Sequence, residues 1–173
     1  MFCFDRQIRN IIFKNILIIE NNTKSIFSYE LSMRYGIKEK NYLNPANFNR
    51  SSDKVKQVND LLKKMKRQIR VNGGQHTATT HYMSNYGYVP LWILVKVLSF
   101  GIVSELYTIL KPEDQEVIAK IYGISSDDLF VYLPILANFR NLCAHEDILY
   151  NHKTHKVIGD TKYHEYLNIP KLD

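Results

Sequence analysis

The sequence predicts an all-α protein, a bundle of about five helices. Three observations lead there. Apolar residues recur at three- and four-residue steps through most of the chain, which is the period of a helix and not of a strand. The periodic stretches are bounded by helix-start and helix-stop residues: Pro112 at one head, Ser125, Ser126 and Asp127 at another, Gly36 and Gly123 at two ends. The composition, 45% hydrophobic and 23% charged over 173 residues, is that of a globular domain with a real core, and the length is short for two domains.

The first helix is expected over residues 5–35, with Asp5 as N-cap. Its run IIFKNILIIE is rich in β-branched residues, so a strand competes, but the length without a turn signal favours helix. Glu20 and Lys24 stand one turn apart and can pair; by spacing alone they read as a solvated surface pair. Residues 41–49, with Pro45 and four Asn, read as a loop. Ser51, Ser52 and Asp53 offer caps for a second helix over residues 53–71, apolar at Val55, Val58, Leu61, Leu62, Met65 and Ile69. Its other face is basic, and Lys63, Lys64, Lys66, Arg67 and Arg70 are candidates for contact with an RNA backbone; an ordinary solvated Lys-rich face is the alternative. Asn72, Gly73 and Gly74 close it.

Residues 75–88 read as a loop or short helix with aromatic packing, and His76 and His81 are too weak a pattern to assign a metal site. Residues 89–110 are expected as one helix, the most buried, with Pro90 in its first turn and the small residues of Ser99-Phe100-Gly101 inside it. A helix over 112–122 follows. The last long helix is expected over 127–150 with Pro134 inside it. The tail, residues 152–173, reads as irregular, with a short hairpin at 156–162.

The net charge of +6 favours an anionic partner, nucleic acid before an anionic membrane surface. Two cysteines, Cys3 and Cys143, imply neither a disulfide framework nor a zinc site, and no apolar run is long enough for a membrane span; a cytoplasmic protein is expected.

The chemistry concentrates in ANFRNLCAHEDILYN, residues 137–151. On an ideal helix Asn141 and His145 share a face, while Arg140 lies roughly 140° from His145 and reaches it through a long side chain. Imidazole serves as acid or base near neutral pH, and a guanidinium fork suits phosphate and the added charge of a pentacoordinate transition state. RNA brings its own nucleophile, the 2′-hydroxyl, so a base and a charge clamp suffice without a metal. Spacing alone leaves the alternative open that Arg140 and His145 only cap the helix or pair with Glu146 and Asp147.

RNLCAHEDILYN resembles the RNxCAHxxxxxN signature of the Abi-like (abortive infection) family of bacterial phage-defence proteins. FDRQIRNIIFKNILIIE is similar to that family's opening helix, SYELSMRYG to the end of it, and YVPLWILVKVLSFG to its central Pro-Leu-Trp helix. The resemblance implies a HEPN-like helical domain over residues 4–151 carrying an Arg-x-x-x-x-His ribonuclease motif. It implies that Arg140 and His145 are the catalytic pair, Asn141 the polar second position, and Glu20 an acidic support on the first helix. It also implies a homodimer with a composite site, RNA as substrate, no cofactor, and a role in phage defence or as a toxin, with an antitoxin or regulatory RNA left open. A non-catalytic RNA-binding module and a helical dimerisation domain are the alternatives. The chain departs from many relatives at Lys96, Glu146 and Ile148, where Glu, His and Arg are frequent.

Overall fold

A computed structural model describes residues 2–154 and 158–170. Among these there are nine α-helices, one 3₁₀ turn and no strand; an isolated antiparallel bridge joins Phe48 to Leu110. The helices are α1 (Phe2–Tyr35), α2 (Glu39–Tyr42), α3 (Val55–Asn72), α4 (Thr77–Tyr86), α5 (Leu91–Val97), α6 (Phe100–Ile109), α7 (Pro112–Tyr122), α8 (Ser126–Ala144) and α9 (Lys162–Tyr166). The all-α expectation holds with a larger count.

Most of the extra helices come from local hydrogen bonding that periodicity does not report. The single helix expected over 89–110 is two, because Leu98 and Ser99 are extended (ψ 137° and 156°) and the Ser99 hydroxyl caps α6 by accepting from the Ile102 N–H at 3.3 Å. The 41–49 stretch is not all loop. It holds the end of α2 and the 3₁₀ turn Pro45–Asn47, capped by the Asn44 side chain at the Ala46 N–H. Within residues 75–88 the segment Thr77–Tyr86 forms α4, and its N-cap is His76, whose ring accepts from the Thr79 N–H. Asp5 does not cap α1, which already runs from Phe2. α3 starts at Val55 without a side-chain cap, so Ser51, Ser52 and Asp53 do not cap it, while Ser125 does cap α8 at the Asp128 N–H, 3.0 Å. α8 ends at Ala144, short of residue 150. Of the expected hairpin, Lys156 and Val157 lie outside the described residues; residues 158–161 form no strand and Lys162 opens α9.

With 34 residues α1 is about 50 Å long, and α2, α5, α7 and α8 pack along it. α6 lies innermost, between α3 and α8, with Phe100, Val103, Leu106, Tyr107 and Ile109 wholly buried. The Phe27 ring of α1 lies 5.9 Å from that of Tyr107, whose hydroxyl reaches the carbonyls of Gln115 and Ser126 and so ties α6 to α7 and α8. Tyr122 of α7 donates to Thr23 of α1 at 2.8 Å, and Asp114 accepts from Arg34 and Tyr35. Gly36 ends α1 at φ +87°, and a side chain there would strike Asn41. No helix among the described residues is long and apolar enough to cross a membrane.

Ser99→Ala removes the cap that separates α6 from α5. It should lower stability by about 1 kcal/mol with helix content unchanged; urea unfolding followed by circular dichroism measures this, and an unshifted midpoint would show that the cap contributes nothing.

Candidate active site

The site is built on α1. Its buried face carries Ile16, Phe27 and Leu31, and in phase with them at three- and four-residue steps stand Asp5, Arg9, Glu20 and Thr23, all buried. The last turns of α8 lie against the first half of this helix, where Leu142, Cys143 and Leu149 pack with Ile8, Ile12, Phe13 and Phe139. Four polar groups of α1 therefore face protein and not water, and each needs a partner there.

Glu20 is 4% exposed. One carboxylate oxygen accepts from Lys24 Nζ at 2.7 Å and the other from Arg140 Nε at 3.0 Å. The Glu20–Lys24 pair is thus not the solvated surface pair its spacing suggests; it lies in the seam, with Arg140 as its third member. The Arg140 side chain is 29% exposed and anchored through Nε, and its two terminal nitrogens have no protein partner among the described residues. A guanidinium held in this way keeps one edge fixed and presents a fork of donors to an anion.

A second cluster fixes the end of α8. Arg9 Nη1 donates to the carbonyls of Glu146 (2.8 Å) and Asp147 (2.9 Å) and to Asp5 Oδ2 (3.2 Å). Asp5 Oδ1 accepts the backbone N–H groups of Leu149 and Tyr150, both at 2.9 Å. The helix itself closes by two reverse bonds, Asp147 N–H to the Leu142 carbonyl (3.1 Å) and Glu146 N–H to that of Cys143 (3.4 Å). This is a Schellman end, and it puts Glu146 at φ +59°, the left-handed position that glycine usually fills. Among the described residues neither Arg140 nor His145 forms an ion pair with the Glu146 or Asp147 carboxylate: Arg140 turns to Glu20 instead.

His145 is the C-cap, its N–H bonded to the Asn141 carbonyl at 3.0 Å. Its ring is exposed and has no protein partner among the described residues, and Asn141 is exposed one turn before it. The segment thus presents a tethered cation, an amide and a free imidazole along one helix end, a set able to hold a phosphodiester and move a proton. Cys143 is not part of that set. It is buried, and burial pushes its thiol above the ordinary value, so it packs as a small apolar group.

The basic residues of α3 lie elsewhere. Lys63, Lys66 and Arg70, with Lys40 and one carboxylate, Glu39, line a hollow of about 700 Å³ together with Leu43, Asn44, Pro45 and Ile69. Lys64 turns to Glu105 of α6 at 2.9 Å, and Arg67 is exposed. None of them contacts Arg140. Among the described residues no group of three or more His, Cys, Asp or Glu side chains is placed to hold a metal.

Asp5, Arg9 and the seam position of Lys24 escape sequence reasoning, as does His152, whose ring folds back on Phe139 (5.4 Å) and Asn138 (2.7 Å). A signal was present for the first two: a charged pair at four-residue spacing in phase with the apolar face of α1.

Residues 1–151 match the sequence model of the Abi-like protein family. No curated protein and no solved structure matches the chain.

Two substitutions test the helix-end clamp. Asp5→Ala leaves Arg9 buried without its carboxylate and two amides without an acceptor, and should cost roughly 3 kcal/mol in urea unfolding; a loss under about 1 kcal/mol would remove the clamp from the account. Glu146→Gly relieves the left-handed residue and should stabilise by about 0.5–1 kcal/mol, so an unchanged or lower midpoint would argue against strain there.

Proposed function

The chain belongs to the Abi-like protein family, and on that premise we propose that it is a metal-independent endoribonuclease of the HEPN type, acting in abortive infection against phage or as a toxin. The observation that carries the reading is the buried Glu20 carboxylate, which fixes Arg140 by Nε on the same helix end that presents the exposed His145. The Arg140 terminal nitrogens make no protein hydrogen bond among the described residues, and at 29% side-chain exposure they are open to an anionic ligand.

The reaction needs only what RNA and these side chains supply. A base takes the proton of the 2′-hydroxyl, the 2′-oxygen attacks phosphorus, the bond from phosphorus to the 5′-oxygen breaks, and that oxygen is protonated as it leaves. The products are a 2′,3′-cyclic phosphate and a 5′-hydroxyl. Arg140 neutralises the extra charge on the non-bridging oxygens, Asn141 orients the phosphate, and His145 takes or gives the proton. One imidazole cannot be base and acid at the same moment, so a homodimer that faces two copies of the segment supplies both roles at one composite site. Lys63, Lys66 and Arg70 around their hollow, with Lys64 and Arg67 beside them, extend the contact to more distant phosphates.

Purified protein incubated with mixed single-stranded RNAs in EDTA should release cyclic-phosphate ends. His145→Ala and Arg140→Ala should each lower the rate about 100-fold or more. Cleavage that survives both changes together would sink the site assignment; binding without cleavage would make the chain a non-catalytic RNA module, and neither would leave a dimerisation domain. In a salt titration of RNA binding, replacing Lys63, Lys66 and Arg70 by Ala should flatten the log–log slope by up to about 2, near 0.7 per phosphate on a single strand. An unaltered slope would take α3 out of the footprint.

A further inference from the structure

Between α1 and α5 lies a groove of about 500 Å³ with Lys24 and Lys96 on its rim and Trp92 in its wall. Lys24 is the lysine bonded to Glu20, so the groove begins one hydrogen bond from the carboxylate that anchors Arg140. Lys96 is exposed and has no acidic partner among the described residues. Trp92, 37% exposed, also walls an adjoining hollow of about 360 Å³ with Tyr29, Met33 and Ile37, whose lining is almost wholly apolar. No carboxylate lines either hollow. A compartment with one cation unpaired among the described residues, Lys96, beside the Glu20-paired Lys24, and an aromatic, apolar one thus share a single indole.

A ligand that fits both must be anionic along one edge and flat and apolar along the next. A single-stranded nucleic acid has that alternation: phosphates on the backbone, and bases free to leave the stack and lie on an aromatic face. A duplex does not, because its bases face one another. Lys24 shares the Glu20 carboxylate with Arg140, so a strand held in the groove lies beside the guanidinium assigned to the scissile phosphate. We propose that the α1–α5 groove is a nucleotide subsite for single-stranded RNA next to the scissile phosphate. In it Lys24 and Lys96 hold a backbone phosphate, and the adjoining base stacks on Trp92 in the hollow it shares with Tyr29. The choice of RNA as the ligand rests on the ribonuclease reading; the groove's demand for a single-stranded, base-exposing polyanion does not.

Trp92 is the only tryptophan of the chain, so tryptophan emission reports on the two hollows it walls and on its contact with the Tyr82 ring, 6.4 Å away. The full chain carrying His145→Ala is titrated with a short fluorescently labelled oligouridylate, single-stranded or annealed to oligoadenylate, with tryptophan emission and label anisotropy read together. The single strand should quench Trp92 saturably and the duplex should not. Lys96→Glu, an exposed change that leaves the core alone, should weaken single-strand binding about tenfold or more. Trp92→Ala should weaken it about as much, as the loss of one stacked base does, provided its circular dichroism matches the parent. RNA that binds, or is cut by the unmodified chain, while Trp92 emission and the Lys96→Glu affinity stay unchanged overturns the groove and leaves the ribonuclease reading standing. Quenching and a Lys96→Glu defect without any cleavage by the unmodified chain keep the groove and overturn the ribonuclease. No binding of either RNA together with no cleavage by the unmodified chain overturns both.

Discussion

An ionised carboxylate taken out of water costs several kcal/mol unless donors replace its hydration. Glu20 sits under that constraint at the middle of α1, and its two donors, Lys24 and Arg140, determine much of what surrounds it. Lys24 comes from the same helix one turn on. Arg140 comes from α8, so satisfying Glu20 sets the rotation of α8 about its axis. With Arg140 turned to the seam, Leu133 and Ala137 on that helix face the core, and Asn141 faces solvent.

The same logic repeats three turns earlier on α1. Asp5 and Arg9 are buried together, and between them they accept two backbone amides and donate to two carbonyls of residues 146–150. A helix end ordinarily leaves its last carbonyls to water and frays. Here the following turn is bound to the longest helix of the fold, at the expense of a left-handed Glu146. A residue held off its preferred backbone beside exposed polar groups is the pattern expected where geometry matters more than local stability. His145 gains a defined backbone position although its ring has no hydrogen-bond or ionic partner among the described residues.

Much of the fold was legible because helix formation is largely local. The amphipathic pattern of α3 gave its packed face correctly, with Val58, Leu61, Leu62, Met65 and Ile69 buried and only Val55 exposed. Ser125 and Gly123 marked the boundary between α7 and α8 by chemistry that needs no distant partner. The break at Ser99 was not legible, because the apolar period runs across it unchanged. Whether a serine two residues before a glycine caps a new helix or sits inside an old one depends on where the next helix must go: α5 lies on α1, whereas α6 packs between α3 and α8. The end of α8 was missed for a related reason: it closes at a left-handed Glu146, not a glycine, and the turn beyond it is held by Asp5 and Arg9, more than a hundred residues away.

By itself, then, the sequence determined an all-α chain, the positions of most helices, and a short polar segment after a buried stretch that held Arg140, Asn141 and His145. It also placed Glu20 among the residues to watch, though as half of a surface pair by spacing. Only the tertiary structure decided that Glu20 is buried, that Arg140 is its partner, and that Asp5 and Arg9 hold the turn beyond His145. The physical reason is that a charged pair four residues apart looks the same on a wet face of a helix as on a dry one. What distinguishes the two is the neighbour packed against it, and that neighbour belongs to another part of the chain.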